Sequence, residues 1–211
     1  MTTKPSYTPA LRFPDFFNDG EWEVKQLGEI AKTFSGGTPS AHNKNYYGGD
    51  IPFIRSGEIN SDHTELFLTQ EGLDNSSAKM VEKGTILYAL YGATSGEVGI
   101  AQMNGAINQA ILAIIPKEGI ITAFLYQYLK SQKSSIVNLY IQGGQGNLSG
   151  AIINSLNIPL PPLAEQRRIA ACLSALDEML AATNGKLEQL KAYKKGLMQQ
   201  LFANPMGGVN H

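Results

Sequence analysis

The residues whose spacing comes nearest to a catalytic arrangement are Asp15 and the group Glu23, Val24 and Lys25. A metal-dependent nuclease uses clustered carboxylates with a nearby lysine to hold its ion and activate water. Here the spacing is short and the surrounding segment is rich in proline, which favours a solvent-exposed strand edge. We therefore predict no nuclease site in this segment.

Two glycine-rich segments, residues 92–99 and 143–150, raise the possibility of a methyltransferase cofactor site. Such a site needs glycines in the order G-x-G-x-x-G after a strand and before a long helix, and neither segment has that order, so turns are the better interpretation. None of the three histidines (His42, His63, His211) lies at metal-ligand spacing with another histidine or with a cysteine. The sequence predicts no catalytic residue, no cofactor and no metal, and hence a protein that is not an enzyme.

Polar side chains in a few loops point instead to recognition, because they can hydrogen-bond base edges or phosphates. Each of them is common in any surface loop, and only their clustering favours a shared site. Asn108 and Gln109 have the same chemistry but also suit turn and core-edge positions, so they stay outside the set. The candidate DNA-binding residues are Gly36, Gly37, Thr38, Ser40, Asn43, Asn45, Tyr46, Tyr47, Arg55, Ser56, Asn60, Tyr91, Thr94, Ser95, Gln142, Gln145 and Asn147.

The elements around these loops predict an α+β fold: a globular domain of short strands and long loops, followed by one long C-terminal coiled-coil helix. Thr122 is a candidate cap for a helix over residues 122–137, with Phe124, Leu125, Tyr128 and Leu129 on one face. Residues 1–21 contain several prolines and predict a loosely ordered arm anchored by Phe16-Phe17. Apolar patterning predicts strands over residues 22–34 (broken at Gly28), 51–54, 85–90, 98–101, 110–115 (a buried run) and 156–159.

The longest element is a helix over residues 163–202, which begins after Pro161-Pro162 and ends before Asn204-Pro205. Glu165 lies in its first turn, where the helix dipole favours a carboxylate. Apolar residues recur at steps of four and three, a heptad pattern that predicts a coiled-coil seam. Thr183 and Lys194 interrupt this seam, either as register-setting positions or as local weakness, which we favour, and Gly185 predicts a bend or loosening. The seam residues are Ile169, Leu173, Leu176, Leu180, Leu187, Leu190, Leu197 and Leu201.

Charge and cysteine content limit the function classes. Residues 1–162 hold 11 Lys/Arg against 14 Asp/Glu, and residues 163–211 hold 6 against 4. A protein that binds DNA alone, mainly through phosphates, is usually basic, so a DNA role has to be shared with a partner or confined to a patch. The single cysteine, Cys172, makes no intramolecular disulfide and favours a reducing compartment. With neither a signal peptide nor a membrane span in the sequence, we expect a cytoplasmic protein without membrane contact.

Taken together, the motifs resemble the target-recognition domain of type I restriction-modification specificity (S) subunits, from about residue 11 through the helix. The matching pieces, in order, are Leu11-Arg12-Phe13-Pro14, Trp22, Leu27-Gly28-Glu29-Ile30, Ser35-Gly36-Gly37-Thr38-Pro39, Tyr47-Gly48-Gly49-Asp50-Ile51-Pro52, Ser56-Gly57-Glu58-Ile59, Tyr91-Gly92-Ala93-Thr94, Asn108-Gln109-Ala110, Gly146-Asn147-Leu148-Ser149, Leu160-Pro161-Pro162-Leu163-Ala164-Glu165-Gln166 and Gly196-Leu197-Met198-Gln199-Gln200-Leu201-Phe202.

The resemblance implies a non-catalytic subunit that selects a bipartite DNA sequence, while methyltransferase (M) subunits and, through them, a restriction subunit do the chemistry. Family members usually carry two recognition domains and two such helices, whereas this chain is similar to half of one. The expected organisation is an N-terminal arm (1–21), a DNA target-recognition domain (22–160), a conserved helix for dimerisation and M-subunit docking (161–203) and a tail (204–211).

An exposed heptad seam also predicts a second copy of the chain as a partner. The resemblance implies antiparallel pairing of the two helices, as the two helices of a longer family member pair. The alternative from another class is an oligomerising scaffold, whose globular head binds a protein or other ligand and whose helix only dimerises.

Overall fold

The computed structural model describes residues 6–140 and 147–202. The described residues form eleven short strands: β1 (Ser6–Tyr7), β2 (Trp22–Gln26), β3 (Ala31–Ser35), β4 (Tyr47–Ile54), β5 (Phe67–Leu68), β6 (Lys79–Val81), β7 (Ile86–Ala89), β8 (Val98–Ile100), β9 (Gly105–Ile107), β10 (Ile111–Pro116) and β11 (Asn157–Leu160). They also form six α-helices: α1 (Leu27–Ile30), α2 (Gln70–Asp74), α3 (Thr122–Ser131), α4 (Lys133–Tyr140), α5 (Gly150–Asn154) and α6 (Leu163–Leu201). The predicted α+β class with one long C-terminal helix is confirmed.

The strands pair into three sheets, with orders β1-β2-β11, β3-β10-β7-β8 and β5-β4-β9-β6. Among the described pairings only β4 with β9 is parallel, with Phe53 opposite Ala106 and Ile54 opposite Ile107. Since parallel strands leave a sheet at the same edge, the segments after Ile54 and after Ile107 start side by side.

The sheet containing β7 and β10 is buried on both faces, because successive strand residues point to opposite sides. Tyr88 and Ile114 join the core beneath α3, α4 and α5, whereas Leu87 and Ala113 join a second core shared with Ile107 of the neighbouring sheet. Two buried faces explain why residues 110–114 are apolar throughout. The predicted strand is confirmed as β10 and is buried as far as Ile114, whereas Ile115 is 42% exposed.

The single helix expected over residues 122–137 is wrong, because the chain forms α3 and α4 with Gln132 between them. The hydroxyl of Ser131 donates to the carbonyl of Tyr128 at 2.7 Å, a local bond that competes with helical pairing. Thr122 is not the cap either, since α3 starts after Ile121, which makes no side-chain capping bond.

Arg12 and Trp22, rather than Phe16-Phe17, connect the N-terminal segment to the rest of the domain. Glu165, fully buried in the first turn of α6, accepts from Arg12 Nε at 2.8 Å and Nη2 at 2.7 Å and from Trp22 Nε1 at 3.1 Å. Phe17 is 64% exposed, and β1 pairs with β2, so the described part of the arm is more ordered than predicted.

The next residue, Gln166, is also buried and fully bonded. Its Nε2 donates to the carbonyls of Gly119 at 3.2 Å and Pro161 at 3.0 Å, and its Oε1 accepts from the N–H of Ile121 at 2.9 Å. The first turn of α6 is therefore held by two adjacent polar side chains that bond different elements.

The described chain divides into two compact units that meet between Ala170 and Ala171. In the first unit, Ile169 and Ala170 pack against the core beneath α3. In the second unit the helix assignment of α6 continues without interruption through Gly185, and the Thr183 hydroxyl donates to the Met179 carbonyl at 2.8 Å.

Candidate functional site

The tight turn Asn108–Gln109–Ala110, between β9 and β10, is the point where several of the predicted loops converge. Ile107 at its start pairs with Ile54 on one side and with Lys79 on the other. Ala110 at its end accepts from the N–H of Leu90 at 2.8 Å. Paired strands lie about 4.8 Å apart. The C-terminal ends of β3, β4 and β7, where the next segments begin, therefore lie within a few strand widths of this turn. We call the turn and the residues next to it (Gly36–Thr38, Arg55–Ser56, Lys79, Tyr91–Ser95) the turn site.

The two glycines of the first loop bring β3 close to β9. A Cβ added to Gly36 would overlap the carbonyl oxygen of Ile107, and one added to Gly37 would lie 2.6 Å from Cβ of Ser77. The N–H of Gly37 donates to the Ile107 carbonyl at 3.3 Å. This close approach places the exposed Thr38 beside Gln109, to whose Oε1 the threonine hydroxyl donates at 2.5 Å.

Arg55 follows β4 and is held by two carboxylates. Its Nε and Nη2 donate to Glu58 at 3.2 and 2.7 Å, and Nη2 also donates to Glu65 at 2.7 Å. The bond to Glu58 raises the pKa of Arg55 above its usual value. Burial raises the pKa of Glu58, but hydrogen bonds from Arg55 and from the N–H of Glu65 outweigh it and lower the pKa to about 2. The guanidinium is thus fixed in orientation and its charge is balanced, while Nη1 bonds no described residue.

Asn43, Asn45, Tyr46 and Tyr47 lie at the other end of the eight-residue strand β4 from Arg55. Asn43 Oδ1 accepts from the N–H of Asn45 at 3.1 Å, and the Tyr46 carbonyl accepts from the N–H of Thr69 at 3.0 Å. The Tyr47 hydroxyl donates to the carbonyl of Pro39, next to Ser40, at 2.7 Å. The structure therefore separates this group from the turn site, with the segment 38–40 between them.

The loop after β7 belongs to the turn site, and Leu90 connects it to the turn. Ser95 Oγ donates to the Leu90 carbonyl at 3.0 Å, and the N–H of Leu148 bonds the same oxygen at 3.1 Å, which places the exposed Asn147 nearby. Thr94 is half-buried in the same loop, and Asn60 lies against Gly99 of β8. Gln142 and Gln145 lie outside the described residues.

Lys79 and Gln109 belong to the turn site but not to the candidate set drawn from the sequence. Both are exposed, and the Lys79 ammonium lies 5.7 Å from the ring centroid of Phe34. Lys79 was missed because β6 carries no clear strand pattern, so only its pairing with β9 shows the position. Gln109 was set aside because a polar residue in a turn has the same pattern with or without a ligand.

The predicted seam of α6 is a second candidate surface, and most of it lies in the other unit. Leu173 and Leu197 are each 38% exposed, and Leu201 is 74% exposed. Leu176, Leu180, Leu187 and Leu190 are also exposed. Ile169 differs because it packs against the globular core.

Neither a metal centre nor a membrane span is found in the described part of the chain. Residues 6–140 and 147–202 contain no group of three or more His, Cys, Asp or Glu residues placed to hold an ion. No helix of these residues is long and apolar enough to cross a bilayer.

Residues 19–192 match the family model described as the type I restriction modification DNA specificity domain. The chain is 32% identical to the type I restriction enzyme MjaIX specificity subunit of Methanocaldococcus jannaschii, over 87% of this chain and 43% of that protein. It is 28% identical to the EcoR124I/EcoR124II specificity subunit of Escherichia coli, over 85% of this chain and 47% of that protein. The chain thus spans less than half the length of these relatives.

Solved structures show the same fold. The crystal structure of an HsdS subunit from Thermoanaerobacter tengcongensis has a TM-score of 0.65 at 21% identity, over 94% of this chain and 46% of that one. The S subunit from M. genitalium has a TM-score of 0.62 at 18% identity, over 87% of this chain and 46% of that one.

Proposed function

The chain belongs to the family of type I restriction modification DNA specificity domains, and on that basis we propose that it selects the DNA sequence for a type I restriction-modification complex. The observation that carries the proposal is the turn site, where exposed and half-buried polar side chains from five separate segments lie at the ends of paired strands. Loops held on such a scaffold are where recognition residues usually lie. The scaffold alternative is not favoured, because the family match covers the globular unit as well as most of the helix.

We assign no chemistry to the chain itself. In the proposed complex, methyltransferase subunits modify the DNA, and a restriction subunit acts through them. A formal net charge of −1 fits this division, since neighbouring subunits would supply much of the phosphate binding. The proposed compartment is the cytoplasm, where a DNA substrate and a single unpaired cysteine are both expected.

We further propose that two copies pair through the exposed leucines of α6. The simplest closed arrangement is a two-fold dimer in which each chain contributes the same patch. If the helices run antiparallel, one recognition domain lies at each end of the pair, and the recognised site consists of two inverted half-sites separated by unread bases. We thus propose two functional parts of the chain. Residues 22–160 contact DNA, and residues 161–203 dimerise through the seam leucines and dock the M subunit.

Selection from a random duplex library tests the main proposal, with and without the matching methyltransferase subunit. We expect enrichment of a site with inverted half-sites when that subunit is present. If no sequence is enriched in either condition, the proposal of DNA recognition is refuted. An asymmetric site, or a monomer by light scattering at micromolar concentration, refutes the homodimer.

A further inference from the structure

Gln109 presents an amide that a hydrogen bond from Thr38 orients within the protein. Asn108 Oδ1 accepts from the N–H of Ala110 at 3.1 Å, and the Asn108 carbonyl accepts from the N–H of Ile111 at 3.3 Å, so the turn itself is closed. The Thr38 hydroxyl donates to Gln109 Oε1 and orients the side chain. A side chain held in this way loses little rotamer freedom on binding.

The bonding capacity left on this amide fits one base. Both hydrogens of Gln109 Nε2 are without a partner among the described residues, and Oε1 keeps a second lone pair. In the major groove, adenine presents the N6 amino donor beside the N7 acceptor, and a glutamine amide pairs with both at once. Guanine presents two acceptors at the same positions, which an amide with one acceptor and one donor edge matches poorly.

Lys79 carries a positive charge on the strand that pairs with the residue before the turn. It lies on β6, at the edge of its sheet, and pairs with Ile107, the residue before the turn. Its side chain is exposed and forms no ion pair with any described residue, whereas Arg55 on the other side of β9 is held by two carboxylates. An exposed ammonium that lies over the Phe34 ring but is paired with no carboxylate of the described residues is suited to a DNA phosphate.

We propose that Gln109 reads an adenine in the major groove, that Thr38 positions its amide and that Lys79 binds a neighbouring phosphate. This assignment rests on the proposed function and adds to it one base of each half-site. It also divides the turn site into a base contact and a backbone contact, which have different signatures in binding experiments.

The test uses the full chain with its methyltransferase subunit and the site selected by the wild-type protein. Gln109→Ala is expected to lower the preference for one A·T pair in each half-site by about 5- to 150-fold, and to leave the other positions unchanged. Gln109→Arg is expected to shift the preference at that pair towards G·C, because arginine pairs with the two acceptors of guanine. Thr38→Val is expected to weaken discrimination at the same pair only.

Lys79→Gln is expected to weaken binding to all duplexes alike and to reduce the slope of log affinity against log salt concentration by about 0.9. Lys117→Gln and Gln102→Ala are matched controls, because both residues follow strand ends that lie away from the turn site. Lys117 follows β10 and donates to the Glu29 carbonyl, and Gln102 follows β8 and donates to the Ile100 carbonyl. Both controls are expected to keep wild-type affinity and sequence preference.

The outcomes separate this inference from the proposed function. A wild-type protein that enriches no sequence refutes the proposed function itself. A wild-type protein that enriches a site, with Gln109→Ala and Gln109→Arg both keeping its full preference, refutes the base contact alone. Loss of discrimination at a G·C pair would overturn the adenine assignment, and an unchanged salt slope in Lys79→Gln would overturn the phosphate contact.

Discussion

Replacing Tyr88 by phenylalanine is expected to stabilise the protein, although the change removes a hydroxyl group. Tyr88 is fully buried on β7, and its hydroxyl has no hydrogen-bond partner among the described residues. A buried hydroxyl without a partner costs about 1–3 kcal/mol, and Tyr88→Phe removes that cost while keeping the ring in place. For a domain of this size, each kcal/mol shifts Tm by about 2–4 °C.

The pH dependence provides an independent measure of the same group. Burial raises the pKa of Tyr88 to about 12, from the ordinary value of 10.0. Between these two values the unfolded chain loses the proton while the native chain keeps it, so Tyr88 makes the free energy of unfolding fall as pH rises. The slope is about 1.4 kcal/mol per pH unit, and Tyr88→Phe is expected to remove it.

The assay is urea denaturation of wild type and variant at pH 7 and in steps between pH 9 and 12. Tyr128→Phe serves as the matched control, because the Tyr128 hydroxyl donates to the carbonyl of Asn157 at 3.1 Å. Loss of that bond is expected to cost about 1 kcal/mol. A Tyr88→Phe variant that is less stable than wild type at pH 7 would show that the hydroxyl is satisfied, and would refute the reasoning.

Three further changes probe the helix anchor, the Arg55 ion pairs and the helix seam. Glu165→Ala removes the acceptor for Arg12 and Trp22 and is expected to lower the free energy of unfolding by about 3–5 kcal/mol, measured by urea denaturation. The control, Glu178→Ala at an exposed position, is expected to lower it by less than about 0.5 kcal/mol. Equal urea midpoints for the two variants would contradict the anchoring role of Glu165. Arg55→Ala removes the guanidinium bonds to Glu58 but keeps the backbone bonds to its carboxylate, so the pKa of Glu58 is expected to rise part of the way from about 2 towards its ordinary value. Stability that wild type loses only as pH falls towards 2 is then expected to be lost at higher pH, in acid titrations followed by circular dichroism. The same variant is expected to weaken DNA binding, by about 1–3 kcal/mol at one base pair if Arg55 reads guanine or equally for all sequences if it contacts phosphate, and no effect on either would remove it from the site. Deleting one heptad, residues 184–190, is expected to shorten the spacer between half-sites by about three base pairs, since seven residues span about 10 Å; an unchanged spacer in a variant that still binds contradicts the antiparallel pair.

Local sequence determined the elements whose signals are carried by neighbouring residues. The long helix follows from Pro161-Pro162 before it and from the four-three spacing of its leucines, and it was found as Leu163–Leu201. The strand Ile111–Pro116, buried as far as Ile114, follows from an unbroken apolar run. The family follows from short motifs in a fixed order. In each case the information lies within a few residues of where it acts.

Only the tertiary structure decided which polar residues share a surface. The segments that begin at Arg55 and at Asn108 start side by side because β4 and β9 pair in parallel, with Ile54 and Ile107 buried in one core, and no local pattern indicates this pairing. Glu165, expected only to complement a helix dipole, is the buried acceptor for Arg12, which lies 153 residues away along the chain. Contacts over such separations depend on how side chains pack in the core. Residue types alone therefore indicated a set of candidates, and only the packing determined which of them lie near one another.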